Sequence, residues 1–209
     1  MGRNNNEPPT APPTTHTAIL RDPIDMWYKL VWDADQFRDI QVDNPEEQQP
    51  LAYAAINVCI AARSLRDWVE QIYVRNVRRV NRKPKPKPDL VQFRADLFAA
   101  IPEQALCEAI ANTAKHSRFN EADWPGGRVD LYWMDADENL PGSYVLYYSD
   151  DHGKDGAFAL NRFSSLVDNW WNYLSANALA IGAKRTPTWQ QNKLNKLFGK
   201  LDPTSSKMD

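Results

Sequence analysis

Cysteine is scarce in this chain: two among 209 residues, Cys59 and Cys107, with no Cys-x-x-Cys. That spacing excludes a cysteine metal site. Both sit in apolar, helix-like runs, where a thiol packs as a small hydrophobe, and they can meet only if their helices are neighbours. Glycine is scarce as well, with eight residues. The adjacent pair Gly126-Gly127 is not followed by Lys-Ser/Thr, so a phosphate-cradling loop is excluded. No apolar run approaches the roughly 20 residues that a bilayer-spanning helix needs, and the first residues hold no apolar targeting segment. The expectation is a cytoplasmic protein with no membrane partner. An excess of one charge is also missing: 25 basic and 27 acidic residues leave a net charge of −2. A nucleic-acid role must therefore come from local clustering. No Ser-His-Asp or Cys-His pairing is legible, and nothing implies a cofactor or a metal.

Aromatic residues are plentiful, with eight Trp and eight Tyr in a chain that is 43% apolar. Large rings bury much area each, so a few can pin several helices together. The expected organisation is a polar, proline-rich tail over 1–20, one helical domain over 21–180, and a basic C-terminal tail over 181–209. Asp22 caps a first helix from Pro23 to about Ile40, with Met26, Trp27, Leu30, Val31, Ala34 and Phe37 on one stripe. A second helix runs from Glu46–Pro50 to about Asn81. Its inward face holds Leu51, Ala54, Ala55, Val58, Ala62, Leu65, Val69 and Ile72, and Tyr53, Ile56 and Ile60 add a second apolar flank. The Lys-Pro alternation of 82–88 then stops it. A third helix covers Leu90–Ala100, and a fourth runs from Pro102 to His116. Alternating runs at 128–135 and 143–150, split by Pro141-Gly142, predict a β-hairpin, with a short third strand at 156–161. A fifth helix spans Arg162–Ala176. Leu194, Leu197, Phe198 and Leu201 predict a short amphipathic helix ringed by lysines. The fold class expected is mainly α: a bundle of about five helices with a small antiparallel hairpin inserted before the last core helix.

On the fourth helix Asn112, Lys115 and His116 stand at i, i+3 and i+4, so one face can bring them together. The structural alternative is an imidazole favoured by the helix C-terminal dipole and an amide bonding across the bundle to Arg63 or Asp67. The run Ala111-Asn112-Thr113-Ala114-Lys115-His116 resembles the active motif of HEPN-type ribonucleases, Arg-Asn-x-x-x-His. Asn112 and His116 occupy the matching places, and Ala111 stands where that motif has Arg. The chain is also similar to a set of uncharacterised bacterial helical proteins. They share an Asn-x-x-Lys-His helix, an upstream Ala-Arg-x-x-x-x-Trp helix (here Ala62 to Trp68), a hairpin, and a last helix bearing Trp (here Trp170). In HEPN ribonucleases the Arg and His act on the scissile phosphate and its 2′-hydroxyl. The resemblance thus implies a nucleic-acid-associated protein, of a phage-defence or toxin–antitoxin kind. Any catalysis would be that of a metal-independent ribonuclease, with His116, Asn112 and Lys115 as its residues. Without the Arg it would be weak or silent, because Lys115 lacks the bidentate grip of a guanidinium.

Two further segments bear on partners. Between Glu70 and Asp89 lie seven basic residues and no acidic one, and Arg75, Arg78, Arg79, Arg82 and Lys83 are the expected phosphate contacts. A solvated helix end is the plainer explanation of the same run. The run Ser149-Asp150-Asp151-His152 has carboxylates but lacks the ligand spacing of a calcium loop, so a solvated turn is expected. The competing function is a non-enzymatic interaction or scaffold protein, with Trp133, Tyr147 and Tyr148 of the hairpin as anchors. The partners expected are RNA or another nucleic acid, a protein, or a second copy in a homodimer.

Overall fold

The computed structural model describes residues 19–79, 87–117, 120, 122, 124–138, 141–150, 155–180 and 182–199. The expected tail over 1–18, Arg82, Lys83, Lys85, Asp151, His152 and Leu201 lie outside the described residues. Among the described residues, six helices and three strands follow one another as α1 (Pro23–Asp43), α2 (Gln48–Arg79), α3 (Leu90–Ala100), α4 (Glu103–His116), β1 (Arg128–Met134), β2 (Ser143–Asp150), β3 (Asp155–Phe158), α5 (Ala159–Ala176) and α6 (Thr188–Phe198). The fold is mainly α with a small antiparallel sheet, as the pattern of stripes and alternation predicts.

Local chemistry sets the element ends. The Asp22 carboxylate accepts from the Ile24 and Asp25 amides at 2.8 and 3.0 Å, and Pro23 fills the first turn, where no intrahelical donor is needed. Asp89 caps α3 by accepting from the Gln92 amide at 2.9 Å. Ser117, in the left-handed region at φ 51°, closes α4 by donating to the Thr113 carbonyl. α1 runs on past Ile40 to Asp43. The third strand is four residues long, and α5 starts at Ala159, ahead of Arg162.

The three strands form one antiparallel sheet in the order β1-β2-β3, with Leu131 opposite Leu146, Trp133 opposite Tyr144 and Tyr147 opposite Phe158. β2 packs on the helices through Leu146 and Tyr148, which join the core. α2 lies between α1 and α4, and α5 closes the bundle against α1. The largest wholly buried side chains are Trp27, Trp170, Tyr148, Phe37 and Phe163. The Trp27 indole donates to the Val167 carbonyl at 3.0 Å, and Phe37 meets Phe163 edge-on at 5.0 Å. Of the second apolar flank expected on α2, Tyr53 and Ile60 are exposed and only Ile56 is half-buried.

Cys59 and Cys107 do meet. Both are wholly buried on facing turns of α2 and α4, as free thiols. The hydrogen bond between them, then burial, push the Cys107 thiol well above the usual range. The thiolate is the reactive species, so a disulfide-exchange reagent such as DTNB is expected to label neither cysteine in the native protein and both after denaturation. Rapid native labelling would contradict this packing.

Candidate functional site

α4 ends at the surface. His116 and Lys115 are exposed and Asn112 is half-buried. Ala111 is 2% exposed. The helix therefore turns the position that carries Arg in the resembled motif toward the core. The pocket beside this helix, about 330 Å³, is lined by Ala109, Ile110, Thr113 and Ala114 with Trp124 and Tyr148 across from them. Asn112, Lys115 and His116 are not among its lining residues.

α2 and α4 run antiparallel. Gln104 donates to the Ala62 carbonyl at 3.3 Å, Cys107 touches Cys59, and Ala114 shares the pocket with Ala52. The C-terminal end of α4 therefore lies beside the start of α2. Arg75, Arg78 and Arg79 are exposed at the other end of α2. At about 1.5 Å per residue, the stretch from Ala52 to Arg75 is ~35 Å long. The structure thus keeps the expected phosphate-contacting arginines far from His116 and does not gather them into one site.

Between these ends lies a buried polar network. Arg66, 5% exposed, donates to both Glu108 oxygens at 3.0 and 3.2 Å and to Glu70 at 3.0 Å, with Asp67 at 3.1 Å. Burial alone would lower the guanidinium's pKa, but Glu108, Asp67 and Glu70 outweigh it and hold it above its usual value. Gln104, fully buried, donates to Glu108 at 3.1 Å and accepts from the Trp170 indole at 2.9 Å. Glu103 accepts from Asn169 at 3.0 Å. Arg66, Gln104 and Glu103 are buried and each is bonded to a partner across helices, which is the signature of a structural clamp between α2, α4 and α5. Arg66 and Gln104 were not expected to be functional, and their polarity on core faces was the sequence signal for them.

The sheet presents a different surface. Side chains alternate across a strand, so Tyr132, Tyr147 and Phe158 share the face turned away from Leu146 and Tyr148. They form a row across all three strands, with ring centroids 6.2 and 5.5 Å apart. Tyr132 is 50% exposed and Phe158 38%. Gly156 makes room for the row, since a Cβ there would lie 2.4 Å from the Tyr147 ring. At the end of β1, Trp133 and Met134 are also exposed. Of the expected anchors Trp133 is exposed and Tyr147 half-buried, whereas Tyr148 is 1% exposed and belongs to the core. Tyr132, Met134 and Phe158 were missed, although strand parity with Tyr147 would have found the two rings.

The C-terminal segment straps over α1. Trp189 meets Trp32 edge-on at 4.9 Å, and Lys193 donates to Asp35 at 2.8 Å and Asp39 at 2.5 Å. Partial burial would lower the Lys193 ammonium, but those two carboxylates outweigh it and raise its pKa. A group whose folded pKa is raised contributes stability that is complete below its unfolded value and lost as pH rises through the folded one. α6 is therefore expected to stay docked at neutral pH and to loosen above the ordinary lysine range. Amide exchange of α6 checks this, with Lys193→Ala expected to lose protection already at neutral pH. Equal protection in both proteins would remove the latch.

Among the described residues no group of three or more His, Cys, Asp or Glu could hold a metal ion, and no helix is long and apolar enough to cross a membrane. No protein-family model, no curated protein and no solved structure matches this chain.

Proposed function

We propose that this chain is a non-enzymatic interaction protein that binds another protein through the outer face of its three-stranded sheet. The observation that carries this reading is the row Tyr132, Tyr147 and Phe158 on that face, its outer two rings exposed, continued along β1 by Met134. Exposed aromatic clusters of this kind are the usual anchors of protein interfaces, because a rigid ring buries much area at little entropic cost. A photo-crosslinking residue at position 132 tests it in lysate of the source cells. A discrete adduct is expected at 132, lost with Phe158→Ser and absent when the crosslinker replaces Tyr53 on the exposed side of α2. No adduct, or the same adduct from both positions, would reject it.

A second reading is favoured by the exposure of Lys115 and His116 on one turn with Asn112. It is a HEPN-like protein associated with RNA or another nucleic acid, in phage defence or a toxin–antitoxin system, with weak or no catalysis. A homodimer belongs to either reading. Incubation of RNA with the wild type and His116→Ala separates the enzyme version: equal, background-level products from both would eliminate it. Binding unaffected by Arg78→Glu with Arg79→Glu, across a salt series, would eliminate those arginines as phosphate contacts.

A further inference from the structure

The turn between α1 and α2 is tied to the sheet by one backbone bond, in which the Tyr144 amide donates to the Pro45 carbonyl at 2.8 Å. That bond sets Asp43, Glu46 and Glu47 beside the end of the sheet where Trp133 pairs with Tyr144 and Met134 with Ser143. The turn after β1 brings Asp135, Asp137 and Glu138 to the same end, and all six carboxylate residues are exposed. Residues 43–47, 132–138 and 143–144 contain no Lys, Arg or His. At this end of the sheet Trp133 is 46% exposed and Met134 43%. The Trp133 ring is held on edge. It packs on Tyr144 at a centroid distance of 5.1 Å, its indole N–H donates to Asp135 at 2.9 Å, and a Cβ on Gly142 would lie 2.9 Å from it.

An exposed indole attracts a cation through its ring face, and carboxylates around it attract the same cation through space. Phosphate is repelled by that rim, so a nucleic-acid backbone is the wrong occupant. We infer that this end of the sheet docks a lysine- or arginine-bearing extended peptide segment of a partner protein, with one cationic side chain over Trp133. The inference rests on the protein-binding reading above and names the chemistry of the partner. The exposed Met134 next to Trp133 supplies apolar contact, and the acidic rim selects the peptide's charge.

The probe is a fluorescein-labelled heptapeptide of alternating Lys and Pro, with a Glu-Pro peptide as control. Anisotropy measures binding, and the ¹H–¹⁵N signal of the Trp133 indole reports where the peptide sits. The Lys-Pro peptide is expected to bind and shift that signal, with affinity falling about tenfold between 50 and 500 mM salt. Trp133→Ala, and separately Glu46→Lys with Glu47→Lys, are each expected to weaken binding at least tenfold. The second pair lies on an exposed turn and keeps the test valid if the tryptophan variant unfolds. Equal binding of the Glu-Pro peptide, binding unchanged in the charge-reversed pair, or tighter binding of a single-stranded RNA oligomer at the same indole would overturn the inference. If position 132 still crosslinks a partner while the Lys-Pro peptide does not bind, only the cationic chemistry fails. If neither is seen, the protein-binding reading fails with it.

Discussion

Trp170→Ala is expected to destabilise the protein by about 4 kcal/mol, since emptying a wholly buried indole site removes its transfer energy and leaves a cavity. Trp170 has no exposed surface, and its N–H is the donor to the equally buried Gln104 carbonyl oxygen. Truncation therefore also strands that oxygen in a dry interior, which adds about 1–2 kcal/mol if no water enters. Trp170→Phe separates the two effects, because it keeps most of the ring and removes the donor. Urea titration followed by far-UV circular dichroism gives the answer from the midpoint at constant slope. A loss under about 1 kcal/mol for the alanine variant would mean that α5 is not seated on α4 as described.

Glu108→Ala is expected to cost about 3 kcal/mol, although it removes a surface-compatible residue type, because it takes both carboxylate bonds from a buried guanidinium. Glu70 and Asp67 stay within reach of Arg66, which keeps the loss at the lower end for a broken buried pair. Gln104 loses an acceptor in the same substitution. Combining Glu108→Leu with Arg66→Met is expected to recover most of the loss, since a buried ion pair replaced by hydrocarbon of similar size no longer carries a desolvation penalty. Thermal midpoints of Glu108→Leu, Arg66→Met and the double variant form the necessary cycle. Strict additivity, with the double variant the least stable, would show that the two charges do not act as a pair.

Much of the architecture was legible in the chain. The stripe Met26, Trp27, Leu30, Val31 and Phe37 is buried as its spacing requires, and Asp22 caps the helix it precedes. Other features were not legible, for identifiable reasons. Asp33 and Asp35 lie off or between the apolar positions of α1, yet they are 8% and 5% exposed, because the segment before α6 and Lys193 cover them from far along the chain. Tyr148 and Trp133 read alike as hairpin aromatics, and only the sheet's packing on the helices separates the core ring from the exposed one.

Periodicity by itself determined the helices, the strands and the spacing of Asn112, Lys115 and His116, since these follow from the turn of one backbone segment. The meeting of Cys59 with Cys107, the burial of Ala111, the distance of Arg75 from His116 and the acidic rim around Trp133 were decided by tertiary structure alone. Each depends on how separate segments pack, and the free energy that selects one packing is spread over the whole core and is not written in any local run of residues.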